Sequence, residues 1–342
     1  MATQANEAVE SGYAFLERIG KKRIINLGVL VAILVVFSIV AIVAGGRQLF
    51  IQRLIDGLSN GFIYSAMAIA LVLIYKATGV VNFAQGDMAM IGTFLCYVFA
   101  VNFGVPTGLA ILLGMACSAL GAAGIERVLI RPFDPRNHLA ITIVTLGLLL
   151  VLSSIGGVIW AFDPRAFPTP FPGRNKSFGV FGASMQYSDL FTWITILVAV
   201  TLISLLLAKT KIGLAFRSVS SNLESSQLVG IHVGRTLQFG WALAAATGTL
   251  AGSLIARTTL LDPTFMGRVL IYSFAAATLG GLDSLGGAVL AGIIIGLVQT
   301  MTGGYIGFIG SSLAPTVALM VIVVVLLIKP SGLFGSKRVE RV

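Results

Sequence analysis

Residues Leu139–Phe162 read LAITIVTLGLLLVLSSIGGVIWAF, a run of 24 positions without a charged side chain. An α-helix rises about 1.5 Å per residue, so about 20 mostly apolar residues cross the hydrocarbon core of a bilayer. A run of this length and composition therefore predicts a membrane-spanning helix, and the same criterion can be applied to the rest of the chain.

Further uncharged stretches of the same kind precede and follow this run. They are Ile24–Ala44, Gly57–Tyr75, Met88–Val105, Pro106–Ile125, Leu190–Ala208, Thr236–Ala256, Val269–Leu282, Ser284–Met301 and Ile309–Ile328. Val269–Leu282 is short and rich in glycine at its end, which suits a half-span or part of a broken helix. We expect an all-α polytopic membrane protein with about ten hydrophobic segments, of which eight to ten span the bilayer.

The composition supports a membrane location independently of any single run. Of the 342 residues, 57% are hydrophobic and only 11% are charged, with a mean hydropathy of +0.97. Soluble domains carry about 25% charged residues, and a single core stops growing near about 250–300 residues. A water-soluble fold could not bury this much apolar surface. The 40 glycines fit the close approach of helices in lipid.

The net charge of +10 does not indicate nucleic-acid binding, because the basic residues are scattered between apolar runs. Their placement is explained by the orientation of the chain in the membrane. With the N-terminus inside and one crossing per run, sixteen of the 23 lysines and arginines fall on the inner side. This predicts cytoplasmic tails at 1–23 and 329–342, around a transmembrane domain at 24–328. An inner loop at 209–235 and an external loop at 163–189 interrupt that domain. Ile24–Ala44 is too long for the core of a signal peptide, so we read it as a retained span.

The sequence offers no catalytic pattern. It contains no G-x-x-x-x-G-K-[ST], H-E-x-x-H, C-x-x-C or G-x-S-x-G element, and its two histidines cannot form a metal cluster. Its thirteen acidic residues fall mostly at the ends of runs or in loops, which disfavours a proton or sodium relay inside the spans. We expect no enzymatic activity, cofactor or metal. If the chain transports a solute, the energy must come from elsewhere, and a separate ATPase chain is the natural source.

A first polar segment, residues 80–88, lies between two apolar runs. It places Asn82, Gln85 and Asp87 close together, and such groups must meet protein, water or solute rather than lipid. Gly86 and Asp87 resemble a helix start whose free N–H groups could meet a polar solute. A helix break is expected here. A cytoplasmic turn that caps the next helix explains the same residues equally well.

A second polar segment, residues 213–231, belongs to the inner loop. The apolar residues Ala215, Val219, Leu223 and Leu228 are spaced roughly as on one helix face. A short amphipathic helix around Ala215–Val229 could dock in the groove of a partner protein. The alternative from the residues alone is a solvated connector.

Four blocks in order resemble the permease subunits of branched-chain amino acid ABC importers. The first is Leu54-Ile55-Asp56-Gly57-Leu58 with Gly61 and Tyr64, and the second is Asn82-Phe83-Ala84-Gln85-Gly86-Asp87. The third runs from Gly213 to Gly230 and contains Glu224-Ser225-Ser226, similar to the importer pattern E-A-A-x-x-x-G. The fourth is Gly280-Gly281-Leu282-Asp283-Ser284-Leu285-Gly286-Gly287-Ala288, where a second helix break is expected. Gln85 departs from the family's usual histidine, and Asp283 replaces a residue that is often glycine.

The resemblance implies an inner-membrane subunit that forms part of the path for branched-chain or other small amino acids. The implied partners are a paralogous permease or a second copy, two ATPase subunits and an external solute-binding protein. The candidate residues fall into three groups. They are the solute-path residues Asn82, Gln85, Asp87, Asn60 and Tyr64, the coupling residues Arg217, Asn222, Glu224, Ser225, Ser226 and Gly230, and the helix-packing glycines Gly280, Gly281, Gly286 and Gly287.

Three alternatives remain open from the sequence. Relatives of this family import urea, short amides and other small polar solutes. A stand-alone secondary transporter or channel would work without an ATPase, and the sparse charge inside the spans disfavours it. A membrane-embedded transferase would need acidic or histidine clusters near the interface, and the sequence contains none.

Overall fold

The computed structural model describes residues 46–134, 137–169, 176–306, 313–329 and 332–335. The chain divides into two compact units. The smaller comprises residues 1–52 and 181–183, and the larger comprises residues 53–180 and 184–342. Every site residue discussed below belongs to the larger unit.

The described residues are mostly helical. The helices are α1 (Gly46–Thr78), α2 (Gln85–Tyr97), α3 (Thr107–Ile125), α4 (His138–Trp160), α5 (Tyr187–Lys209), α6 (Lys211–Ser221), α7 (Leu223–Leu228), α8 (Val233–Ile255), α9 (Met266–Gly280), α10 (Leu285–Tyr305) and α11 (Ala314–Ile328). Helices α2 and α3 each continue into one wider π-helical turn, at Val98–Asn102 and Glu126–Ile130.

The all-α expectation needs one correction, in the segment predicted as the external loop 163–189. Strands β1 (Ser177–Val180) and β2 (Ala183–Gln186) form a two-stranded hairpin there. Its two turn residues, Phe181 and Gly182, both have positive φ, as a tight hairpin turn requires. The final residues of this segment already belong to α5.

Five described helices are long and apolar enough to cross a membrane. They are α1, α3 with its π turn, α4, α5 and α10, while α9 and α11 are apolar but shorter. Each predicted run from Gly57 onward overlaps a described helix, and Ile24–Ala44 lies outside the described residues. The structure therefore supports a multi-span helical protein, and the total of eight to ten crossings stays a prediction.

Polar side chains begin several of these helices by accepting hydrogen bonds from free backbone N–H groups. The Oδ1 atom of Asn137 accepts from the Ala140 N–H at 3.0 Å at the start of α4. The hydroxyl of Thr210 accepts from Gly213 at 3.1 Å, and that of Ser284 accepts from Gly287 at 3.1 Å. These caps fix where α4, α6 and α10 start, and they set the register of the residues that follow.

Helix α1 is the centre of the larger unit. In its most apolar window 83% of residues are buried, against 22% in the corresponding windows of α3, α4 and α5. Helices α3, α4 and α5 expose large apolar side chains, such as Leu120 of α3 at 74% and Val158 of α4 at 86%. In water such faces would be costly, so they are suited to lipid or to a neighbouring membrane subunit.

Helices α1 and α10 touch along a seam of small residues. Gly57, Gly61 and Ser65 on α1 face Thr300, Gly296 and Gly292 on α10, in antiparallel order. A methyl group on Gly296 would overlap the backbone of Gly57 and Gly61, and one on Gly292 would overlap Ser65. The Ser65 hydroxyl donates to the Val289 carbonyl at 2.8 Å, and that of Thr300 donates to the Arg53 carbonyl at 3.2 Å. We call these six residues the α1–α10 seam.

Candidate functional site

The predicted solute-path residues fall into two separate places. Asn60 and Tyr64 lie in α1, one helical turn apart, and both donate to the side-chain oxygen of Gln299 in α10, at 3.3 and 3.0 Å. The Tyr64 ring stacks on Tyr272 of α9, with ring centres 4.9 Å apart. Three helices therefore converge on this polar cluster beside the α1–α10 seam.

A cavity of about 500 Å³ opens beside this cluster, and we call it the Asn60 cavity. Its wall carries an ion pair between Arg257 and Asp189, with Nη2 and Oδ1 2.9 Å apart. The lining residues are Arg53, Asp56, Ser59, Asn60, Ile63, Asp189, Arg257, Thr258, Gln299, Thr300, Gly303 and Ala314.

Asn82 and Gln85 lie at the other end of α1, with Asn82 in the break between α1 and α2 and Gln85 as the first residue of α2. Both are fully buried, and their polar atoms bind protein groups. Asn82 donates to the Gln85 oxygen at 3.3 Å and accepts from the Ala84 N–H at 3.0 Å. Gln85 donates to the Ala244 carbonyl of α8 at 3.0 Å. In this arrangement the two amides join α8 to the start of α2.

The structure does not bring these two amides to Asn60. The stretch of α1 from Asn60 to Thr78 is about 27 Å long at 1.5 Å per residue. Asp87 is half-buried in the first turn of α2, on the side of Asn82 and Gln85. Of the five predicted solute-path residues, only Asn60 lines the Asn60 cavity, and Tyr64 adjoins it through Gln299.

The predicted coupling segment forms two short helices, α6 and α7, where the sequence suggested one amphipathic helix. The chain breaks at Asn222, whose Oδ1 accepts from the Ser225 N–H at 2.9 Å to start α7. The buried Ser226 hydroxyl lies 2.9 Å from that of Ser218 and so ties the two helices together. We call α6 and α7 together the coupling unit.

Glu224, Ser225 and Gly230 are exposed on the coupling unit, and Arg217 donates to the carbonyl of Ala208 at the end of α5, at 3.4 Å. Gly230 follows α7 with φ of +81°, a conformation that other residues adopt only at a cost. Just before it, Leu228 and Val229 are 88% and 73% exposed. Two neighbouring apolar side chains are thus left uncovered by the residues that the structure describes.

A second cavity of about 630 Å³ lies between the coupling unit and the ends of α1, α3 and α4. Its wall contains the buried carboxylate of Glu126, 2.6 Å from Nη2 of Arg131, and the same Nη2 donates to the Gly234 carbonyl of α8 at 2.9 Å. Lys76, His138, Asn222 and Glu224 also line it, and we call it the Lys76 cavity. The coupling unit therefore adjoins the end of the central helix.

The predicted packing glycines differ in their surroundings. Gly280 and Gly287 lie backbone to backbone, so that a methyl group on either would overlap the other. Gly281 ends α9 with φ of +100°, while a methyl group on Gly286 would meet no atom within 4 Å. Leu333 and Phe334, in the predicted C-terminal tail, donate to the carbonyls of Leu279 and Gly280 at 2.7 and 3.1 Å. That part of the tail covers the end of α9.

Sequence reasoning missed Gln299, Tyr272 and the pairing of Asp189 with Arg257. Gln299 carries an amide side chain within the apolar run of α10. Asn82 was selected because a polar side chain among apolar runs must meet protein, water or solute, and the same criterion would have selected Gln299. The partners of Arg257 lie 68 to 71 positions away, so nothing local in the sequence signals them. Within the described ranges, no three His, Cys, Asp or Glu side chains lie as a metal ion would require.

The fold and these sites define a helical membrane protein in which two short helices, α6 and α7, connect α5 to α8. The family described as branched-chain amino acid transport system / permease component matches residues 53–329, and the chain belongs to this family. It is accordingly a multi-pass protein of the inner membrane.

Several relatives are similar to this chain over most of their length. The high-affinity branched-chain amino acid transport system permease protein LivH of Escherichia coli K12 is 26% identical over 308 residues, which are 86% of this chain and 98% of LivH. BraD of Pseudomonas aeruginosa, described likewise, is 28% identical over 309 residues, with the same coverage. A probable branched-chain amino acid permease, LivH of Methanocaldococcus jannaschii, is 30% identical over 295 residues, covering 81% of this chain and 91% of that protein.

Proposed function

We propose that this chain is the permease subunit of an ATP-binding cassette importer for branched-chain or other small amino acids. It crosses the bilayer eight to ten times with both termini in the cytoplasm. It works with a second permease, two ATPase subunits and an external solute-binding protein. The family match and the excess of basic residues on the inner side support this arrangement.

The observation that carries the proposal is the apolar end of the coupling unit. Leu228 and Val229 are almost fully exposed at the end of α7, while Ser226 and Ser218 hold α6 and α7 in a fixed relation. Apolar side chains presented by a short amphipathic element are typical of docking into a groove. We assign the ATPase subunits as the partner, with Arg217, Asn222, Glu224, Ser225, Ser226 and Gly230 forming or shaping the contact.

The same arrangement gives a route for force. The coupling unit follows α5 directly, adjoins α8 and borders the Lys76 cavity at the end of α1. Movement of the ATPase subunits would therefore displace the coupling unit against the central helix. The other end of that helix carries Asn60 and Tyr64 beside the Asn60 cavity. In this mechanism the chain transmits motion and forms part of the path, and it makes or breaks no bond of the solute.

Leu228→Ser tests the docking role, with Leu260→Ser as the matched control. Both leucines are exposed, at 88% and 56%, so neither substitution removes a buried side chain. We expect Leu228→Ser to lower ATPase co-purification and uptake at least about tenfold, since burying one leucine contributes about 1.5–3 kcal/mol. Leu260→Ser should leave both unchanged. Equal ATPase recovery and uptake in the two variants would show that α7 is not the dock.

The solute is tested separately in proteoliposomes that contain the complete assembly and its binding protein. Uptake of labelled leucine, competed by valine and isoleucine but not by urea or acetamide, is the expected result. Competition by urea or acetamide alone would identify an amide importer. Uptake without any ATPase subunit would instead identify a stand-alone transporter or channel.

A further inference from the structure

The Asn60 cavity carries charges of both signs in equal number. Arg53 and Arg257 stand in its wall together with Asp56 and Asp189. The Arg257 side chain is only 9% exposed, and its two Nη atoms donate to Ser188 at 2.8 Å and to Asp189 at 2.9 Å. The formal charges of these four side chains thus cancel, while the cavity wall remains strongly polar.

Each of the two arginines keeps one donor without an acceptor. The Nε atoms of Arg53 and Arg257 are both buried, and neither has a hydrogen-bond partner in the part of the chain that the structure describes. Buried donors without acceptors are rare because leaving them unpaired costs free energy. Neither Nε atom is accessible to a molecule in the cavity, but the unpaired donor on each guanidinium group shows that the described residues do not satisfy these two arginines fully.

A carboxylate is the acceptor that matches this chemistry. Guanidinium groups bind carboxylates through charge-assisted hydrogen bonds, and their planar arrangement of donors suits two oxygens. A lone anion would leave the cavity with a net charge, whereas a zwitterion would not. Its ammonium group would find acceptors in the carboxylates of Asp56 and Asp189 and in nearby amide oxygens.

We infer that the Asn60 cavity is a binding site on the permease itself for the zwitterionic head of an α-amino acid. The carboxylate faces Arg53 and Arg257, the ammonium group faces Asp56 and Asp189, and the side chain of the solute lies toward Ile63 and Ala314. The cavity, at about 500 Å³, lies within the usual range for small-molecule sites. This inference rests on the proposed function, because it assumes that the solute is an amino acid.

Thiol protection tests the site directly. Thr258 and Thr259 are both exposed and both donate to the Ile255 carbonyl, at 2.9 and 3.1 Å, but only Thr258 lines the cavity. Thr258→Cys and Thr259→Cys are made in a Cys117→Ser background, because Cys117 is exposed. The complete assembly in proteoliposomes is then treated with a membrane-impermeant thiol reagent.

Saturating leucine should slow modification of Thr258→Cys at least about fivefold, as occupancy by a ligand at several times its Kd requires. It should leave Thr259→Cys unchanged. Isoamylamine lacks the carboxylate and isocaproate lacks the ammonium group, so neither should protect. Equal protection by isocaproate would overturn the zwitterion assignment, and no protection by leucine would overturn the site.

Arg53→Gln provides the functional readout, with the exposed Arg268→Gln as control. We expect leucine uptake per ATP hydrolysed to fall about tenfold in Arg53→Gln, since a charge-assisted hydrogen bond is lost. Hydrolysis stimulated by the binding protein is measured in the same vesicles, so that uptake is expressed per ATP consumed. Unchanged uptake per ATP in Arg53→Gln would overturn the inference while leaving an amino acid importer intact. A parental assembly that imports no amino acid would instead refute the proposed function.

Discussion

Replacing Gly287 with alanine tests whether the backbones of α9 and α10 must touch at the 280–287 turn. The added methyl carbon would overlap the carbonyl oxygen of Gly280 and lie 2.9 Å from the Phe334 Cβ and the Ser284 hydroxyl. A carbon atom normally stays about 3.3–3.6 Å from a carbonyl oxygen. The two helices must therefore separate by close to an ångström, or the cap of α10 must open.

The expected cost lies at the upper end of the range for overpacking, about 2–3 kcal/mol, because the obstructing atom is backbone and has no alternative rotamer. Gly286 is the control, since a methyl group there meets no atom within 4 Å. Gly286→Ala should be neutral or should stabilise by up to about 1 kcal/mol, through the lower entropy of the unfolded chain.

Thermal unfolding of the two variants in detergent, followed by fluorescence-detected size exclusion, separates these outcomes. We expect Gly287→Ala to unfold roughly 3–4 °C below the parent, and Gly286→Ala at or above the parental temperature. Equal unfolding temperatures for the two variants would refute the reasoning, because the close approach of Gly280 and Gly287 would then contribute nothing to stability.

Two further substitutions follow from the same geometry. Gln85→Ala removes the bond to the Ala244 carbonyl and leaves buried polar groups unpaired, so we expect a loss of about 1–3 kcal/mol of stability, measured by thermal unfolding. Uptake of all solutes should fall together in this variant, and a change in solute preference with stability preserved would instead place Gln85 in the path. Gly230→Ala forces a non-glycine residue into φ of +81°, which costs about 1–2 kcal/mol. The cost comes from the backbone alone, because the added methyl group would meet no atom within 4 Å. We expect weaker ATPase co-purification with normal membrane insertion, and full co-purification would show that this turn tolerates other conformations.

The helices of this chain could be predicted from its sequence because run length and apolar composition are local properties. Leu139–Phe162 and Leu190–Ala208 matched α4 and α5 closely for that reason. The kink at Asn222 was harder to predict, since a capping side chain competes there with a continuous amphipathic pattern. The hairpin in 163–189 was missed because its two strands have only four residues each.

The site was less predictable because its contacts join residues far apart in the chain. Asn82 and Gln85 were rightly singled out as polar groups needing partners, but the sequence could not show that those partners are Ala84 and Ala244. Asn60 and Tyr64 meet Gln299 across more than 230 positions. The difference between Gly286 and Gly287 depends on which side of α10 faces Gly280, and a block of glycines carries no such information.

The α1–α10 seam has a consequence for how a path could open. Where two helices meet through glycine backbones and hydroxyl hydrogen bonds, pulling them apart would break many contacts at once, so we expect α1 and α10 to move as one body. Asn60 and Gln299, which sit on that pair, would keep their mutual distance through the whole transport cycle. The wall of the Asn60 cavity that α1 and α10 form would then keep its shape. Access would alternate through displacement of α5, which carries Asp189, and of the end of α8, which Arg257 follows.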